Sequence, residues 1–240
     1  MKRDVWALEW RIAMRRRRLL LWNVGVPLGL LGPVALSSAP EAHRAVVFTL
    51  FIVFFGAFGS CVPLVRDADS GWTEKILLTG YGERRWLGER LLAASCLDTL
   101  QLLPAMLLLF LAEGLRPAGA VAALAAMSLA LLSANVLGAL VAAVVRSLAE
   151  GALACAATAL FALHMAGVFR VPERHTWAWA AKAVSPFGPL HEAMGQVAGG
   201  WGESFRGASR AWLPGLAGGL VLTGIALLLA PLLARRLTGR

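Results

Sequence analysis

Residues 45–64 read AVVFTLFIVFFGAFGSCVPL, and residues 65–90 continue VRDADSGWTEKILLTGYGERRWLGER. The first stretch contains no charged residue. It also has the length, about 20 residues, that a helix needs to cross the hydrocarbon of a bilayer. The second stretch crowds acids and bases together. It is too polar to lie in lipid and too short to form a domain. The junction near Leu64 therefore reads as a membrane surface, and the rest of the chain follows the same pattern.

Five more apolar blocks qualify as spans, giving six: Leu19–Ser37, Ala45–Leu64, Leu91–Ala112, Gly119–Val145, Gly151–Phe169 and Trp212–Leu233. Lipid cannot satisfy free backbone groups, so such blocks are expected to be helices. No period-two alternation supports a membrane barrel. Hydrophobic residues make up 58% of the 240-residue chain and charged residues 15%. That is more apolar and less charged than an ordinary soluble domain. Residues 1–240 thus read as a single all-α membrane domain. A cleaved signal peptide ending near Ala35-Leu36-Ser37 is the competing reading of the first block, but its apolar stretch is long for a signal sequence.

The net charge of +9 has a plain topological reading. Lys2, Arg3, Arg11 and Arg15 to Arg18 precede the first span. Arg66, Lys75, Arg84, Arg85 and Arg90 follow the second, Arg146 follows the fourth, and Arg235, Arg236 and Arg240 end the chain. The two short loops of the opposite side carry only Arg44 and Arg116. Both termini are therefore expected in the cytoplasm. The loop 170–211 adds Arg170, Arg174, Lys182, Arg206 and Arg210 to the opposite side, where its length weakens the rule. No recognition motif accompanies the basic residues, so nucleic acid is not an expected partner. Cys61, Cys96 and Cys155 all fall in apolar blocks and match neither a metal nor a disulfide spacing.

Three polar segments carry further expectations. In Asp4–Met14, Trp6, Trp10 and Ala13 share one helical face, which fits an interfacial helix within residues 1–18. The alternative is a plain helical extension of the first span. In the loop 65–90, Ser70 can cap a short helix with Glu74 in its first turn. Trp72, Ile76 and Leu77 give that helix an apolar edge, Gly80 and Gly82 break it, and Glu83–Arg90 runs as a charged helix into the third span. Such an edge calls for a partner surface, or else packs beneath its own bundle. The loop 170–211 contains Trp177, Trp179 and Trp201, broken by Pro172, Pro186 and Pro189. Stretches such as Thr176–Val184 fit short interfacial helices.

The segment from Arg66 to Arg85 resembles the loop between spans two and three of ABC-2 type transporter permeases. Asp67, Asp69, Ser70, Gly71, Glu74, Leu77 and Thr79 match that pattern, and Gly88-Glu89-Arg90 approximates its closing basic position. Trp72 stands where Thr is usual and Gly80 where Pro is usual. Ser185-Pro186-Phe187-Gly188-Pro189-Leu190 is similar to the family's Pro-Leu stretch before the last span.

The resemblance implies six transmembrane helices, an N-terminal interfacial helix, a cytoplasmic coupling helix between spans two and three, and short external helices before span six. It implies a pair of permeases, identical or sister chains, on a dimer of cytoplasmic ABC ATPase subunits. Asp69, Ser70, Gly71, Trp72, Glu74, Lys75, Ile76, Leu77 and Thr79 would then form the ATPase-coupling segment, usually of an exporter. ATP and Mg would bind the partner. The chain itself has no GxxxxGK[ST] loop to hold a nucleotide. High Ala, Leu and Arg content points to a GC-rich bacterial genome, and hence to the bacterial inner membrane.

Within the spans, Asp98 and Gln101 lie about one turn apart on one face. An acid in hydrocarbon usually faces the bundle interior or water. Two readings stand: a translocation path, or a structural polar contact between helices. His164 carries the same pair of readings, with the structural one favoured. Asn23 and Asn135 read as interhelical contacts, and Gly56, Gly59, Ser60, Gly215, Gly218 and Gly219 as sites of close packing. No catalytic or metal residue stands out. His191-Glu192 lacks the second His of a zinc protease motif. Gly207-Ala208-Ser209 has no evident His partner. An intramembrane enzyme and a passive channel or scaffold subunit remain the rival classes.

Overall fold

The computed structural model describes residues 5–15, 17–114, 117–170, 177–198 and 205–238. Every regular element among them is a helix. In chain order these are α1 Val5–Arg15, α2 Arg17–Ala35, α3 Glu41–Asp69, α4 Trp72–Leu78, α5 Glu83–Ala112, α6 Pro117–Val144, α7 Leu148–Met165, α8 Trp177–Val184, α9 Phe187–Ala198, α10 Phe205–Leu228 and α11 Ala230–Thr238.

Four helices are long and apolar enough to cross a membrane unbroken: α3, α5, the Gly119–Val144 part of α6, and α7. The count rises to six if each of two bent pairs is one span. In the first pair, α1 and Leu20–Ala35 differ in direction by 75°. That bend turns α1 sharply away from the direction of α2.

The second pair covers the last expected span. The block Trp212–Leu233 reads as one span, and the structure bends it: α10 ends at Leu228 and α11 leaves at 55°. Pro231 supplies the cause. It has no N–H to donate to the preceding turn, and its ring collides with the carbonyl there. The bend lays the Leu233, Ala234 and Leu237 face of α11 against α6, α5 and α4, while Arg235 and Arg236 stay exposed.

Helix α3 is the hub of the bundle, and its widest contact is with α6. The two backbones nearly touch. A Cβ added at Gly138 would lie 2.1 Å from the Ala57 carbonyl oxygen, and one at Gly56 would lie 2.9 Å from the Ala134 Cβ. Small residues permit that approach, which replaces the hydrophobic drive that lipid removes. Helix α7 starts on a capping arrangement: the Ser147 hydroxyl accepts from the Glu150 N–H at 3.2 Å, and the Glu150 carboxylate accepts from the Arg146 N–H at 2.8 Å. Its outer face, with Leu153 and Phe161, is exposed, as lipid-facing residues would be.

The segment between α7 and α10 is more ordered than a loop. Helix α8 lies on the expected Thr176–Val184 stretch, whose first residue falls outside the described residues, and it exposes Trp177 and Trp179. Helix α9 lies where the resemblance implies short helices before span six. Its Phe187, Leu190, Ala193, Met194 and Val197 are all buried, and it packs against α3 and α6 as part of the bundle. Trp201 and Pro172 lie outside the described residues.

Candidate functional site

Helices α3 and α5 run antiparallel, and two polar contacts fix their register. At one end Arg90 of α5 donates to Asp67 Oδ2 of α3 at 2.6 Å. Eight residues back along α3 and eight forward along α5, Gly59 faces Asp98. A Cβ at Gly59 would lie 2.9 Å from Asp98 Oδ2. Gly59 is thus the gap that admits the carboxylate.

Around Asp98 the side chains form a small buried network. Asn135 Nδ2 of α6 donates to Asp98 Oδ2 at 2.9 Å and to the Leu131 carbonyl at 2.9 Å. The Ser60 hydroxyl of α3 donates to Asn135 Oδ1, and Ser95 of α5 lies 3.3 Å from Asn135 Nδ2. Three helices are therefore tied together in the apolar interior, where an unpaired amide or carboxylate is costly. Asn135 is the hub of this cluster. The sequence marks it only as an interhelical contact, and nothing in it names Asp98 as the partner 37 positions away.

The ionic cluster at the other end was also missed. Arg90 bridges Asp67 and Glu9 of α1, with 8% of its side chain exposed and 17% of each acid's. The neighbouring Glu89 accepts from the backbone N–H of Val5 at 2.9 Å and of Trp6 at 3.4 Å. Those groups are the orphan donors of the first turn of α1. Arg85 Nε in turn donates to Glu89 at 2.6 Å. Consecutive residues of α5 thus cap α1 and clamp it to α3. The one available signal was an acid, Glu9, in a segment otherwise rich in arginine.

Between these two clusters lies a cavity of about 700 Å³, walled by α1, α2, α3 and α5, with Trp72 of α4 also in its lining. Arg66, Asp67, Arg90 and Glu9 line one end and Asp98 and Gln101 the other; Phe55 and Phe58 are level with the second end, and Val62, Pro63 and Leu97 lie between the two. Asp98 and Gln101 are 7% and 6% exposed. The structure brings these two together as the sequence places them. His164 is elsewhere: it sits in the last turn of α7 with its side chain exposed and is not a member of the Asp98 network.

The short helix α4 sits at the same end as α1 and the start of α5, against α3 and α11. Gly71, at φ +68°, turns the chain from α3 into α4, and Gly80, at φ +80°, turns it out again. Only glycine adopts such angles without strain. Proline cannot reach the Gly80 conformation at all, so this turn differs in kind from one built on proline. Ser70 does not cap α4 as expected. It closes α3, and its hydroxyl donates back to the Asp67 carbonyl at 3.1 Å. Residue Gly71 takes the N-cap position, and no side chain caps the helix.

The expected apolar edge is divided. Thr73 is buried, and Ile76 and Leu77 pack on the bundle's own core. Trp72, Glu74, Lys75, Leu78 and Thr79 are exposed, Leu78 at 77%, and so is Asp69 at the end of α3. The surface that α4 offers is thus Trp72 and Leu78 around two opposite charges.

At the far end of the bundle, Arg44 of α3 pairs with Glu113 just beyond α5. The single described arginine of the short loops on that side is thereby neutralised. His191 of α9 lies 3.4 Å from the Thr49 hydroxyl of α3. Burial, then the charge of Lys182, holds its pKa below the usual histidine range.

No protein-family model matches the chain, and no curated protein sequence matches it. The fold defines it by class: among the described residues every regular element is a helix, and together they provide four to six candidate membrane spans.

Proposed function

We propose that the chain is the transmembrane subunit of an ATP-driven ABC transporter of the ABC-2 type, working as an exporter. Two copies, or one copy and a sister permease, sit in the bacterial inner membrane with both termini in the cytoplasm. A dimer of separate ATPase subunits supplies ATP and Mg²⁺. The chain is itself no enzyme. It forms the path and receives the motion.

The observation that carries this reading is the placement of α4. Two residues, Ser70 and Gly71, join it to α3, and residues 79–82 join it to α5. Links this short limit how far α4 can move without α3 and α5. A push on α4 therefore reaches α3 and α5 directly, and α1 with them through the Glu9–Arg90–Asp67 bridge. The cavity lies among those helices. Charge supports the orientation, because Arg66, Lys75, Arg85, Arg146, Arg235 and Arg236 sit at or beyond the ends of the spans on the α4 side. A passive channel or scaffold has no use for an exposed apolar helix there. An intramembrane enzyme needs a constellation of reactive groups, and the Asp98 network contains only one acid.

The exposed face of α4 is expected to be the contact. Single cysteines at Glu74 and Leu78 should crosslink to the ATPase, and one at Ile76, turned to the bundle, should not. Trp72→Ala combined with Leu78→Asp should weaken the complex by roughly 2 kcal/mol or more, about thirtyfold in affinity, as loss of an aromatic anchor does. Full ATPase coupling in that double variant would remove α4 from the mechanism.

A further inference from the structure

The cavity between α1, α2, α3 and α5 is amphipathic in an ordered way. Its charged groups are segregated to the two ends, and those ends are not equivalent. At the first end every charge has a partner: Arg90 lies between Glu9 and Asp67, and Arg66 lies 3.8 Å from Asp67. At the second end Asp98 stands without a cation. Among the described residues no lysine, arginine or histidine pairs with it, and its only hydrogen bond is the one Asn135 gives to Oδ2. Gln101 is 94% buried and next along the same face of α5, and its side chain makes no hydrogen bond to any other described residue. Both residues line the cavity.

Distance keeps the two ends apart. Asp98 lies eight residues beyond Arg90, which at 1.5 Å per residue is about 12 Å along the helix. The arginines therefore do not neutralise Asp98. Phe55 and Phe58 from α3 line the same cavity. Ring faces attract a cation through their quadrupole, and a desolvated carboxylate does so more strongly. A buried acid with a free oxygen, a buried amide whose carbonyl oxygen can still accept, and two phenyl rings make a receptor for a positive charge on an apolar body.

We propose that this cavity binds a hydrophobic organic cation, held at its charged end by Asp98 and Gln101 with the Phe55 and Phe58 rings beside them, and along its apolar part by Val62, Pro63 and Leu97. The volume, about 700 Å³, is in the range of pockets for drug-sized molecules. That such a cation is the cargo rests on the exporter reading. That it binds does not, so binding is measured on the purified full-length chain alone, without an ATPase.

Tetraphenylphosphonium and tetraphenylborate are the probes: nearly the same shape, opposite in charge. Equilibrium dialysis in a non-ionic detergent, corrected for protein-free micelles, should show saturable binding of the phosphonium and none of the borate. Asp98→Asn should weaken the phosphonium at least about tenfold, the scale of one charge contact in a low-dielectric site. Gln101→Leu, which leaves the Asp98–Asn135 bond in place, should weaken it severalfold. Equal binding of the two ions by the unaltered chain overturns the proposal without any variant. So does a folded Asp98→Asn protein that binds the phosphonium as before, or a co-purified phospholipid that the phosphonium fails to displace. Phosphonium binding by a chain that recruits no ATPase would leave the site standing and sink the exporter reading instead.

Discussion

Arg90→Ala should cost roughly 3–5 kcal/mol, the range for removing one partner from a buried ion pair. The figure applies because Arg90 is 8% exposed and serves two carboxylates at once. Its loss leaves Glu9 and Asp67 facing each other, largely buried and without their cation. Arg90→Lys should fall in between, since an ammonium cannot fork to two acids as a guanidinium does. The damage should be local as well as global. With the bridge gone, α1 keeps only its cap from Glu89 and its apolar contacts. The measurement is a thermal melt of the detergent-solubilised chain, paired with limited proteolysis. A large drop in melting temperature with early cleavage near residues 1–15 is the expected result. An unchanged melt and a protected N-terminus would mean that the bridge holds nothing together.

The second large effect is expected at Gly138. An added methyl would sit 2.1 Å from the Ala57 carbonyl oxygen, and backbone cannot move aside as a side chain can. Overpacking of this kind costs about 1–3 kcal/mol. Gly138→Ala belongs at the upper end and Gly138→Leu beyond it, because α3 and α6 must separate. Asn135 is three residues earlier on α6, so the same separation pulls it from Asp98 and Ser60. Gly25→Ala is the control. Its added Cβ meets nothing within 4 Å, so it should be neutral or, by helix propensity, stabilising by up to about 1 kcal/mol. Size-exclusion profiles after heating distinguish the two. Equal melting of the Gly138 and Gly25 variants would show that the α3–α6 approach is looser than described.

Much of the helical layout is legible from hydropathy. A run such as Ala45–Leu64 can satisfy its backbone in lipid only as a helix, and α3 contains it whole. The start of α5 at Glu83 follows from Gly80 and Gly82, which glycine's freedom marks as a break. Hydropathy is blind to direction, however. Leu228 and Leu233 look like one span because both are apolar, and the 55° turn between them comes from the single missing N–H of Pro231. The burial of α9 was hidden for a similar reason: twelve residues are too few for a span, so hydropathy does not place them inside the bundle.

The site divides in the same way. Asp98 and Gln101 fall together because three-residue spacing places them on one helical face. Their counterparts do not. Asn135 meets Asp98, and Glu9 meets Arg90, across 37 and 81 positions respectively, and only the packed bundle sets such pairings. On α4 the two readings of the apolar edge each hold in part. Ile76 and Leu77 pack beneath their own bundle, while Trp72 and Leu78 stay outside. Ser70 illustrates competition between neighbours: the end of α3 claims its hydroxyl before α4 can use it.

The central claim is that this chain works with a separate motor docked on α4. The direct test is a mild-detergent purification of the tagged chain from its native cells, with mass spectrometry and an ATPase assay on the product. The account predicts a co-purifying nucleotide-binding subunit with ATPase activity, both lost in the Trp72→Ala, Leu78→Asp variant while the bundle still melts normally. A chain that purifies alone in several detergents, with no ATPase activity, would contradict it.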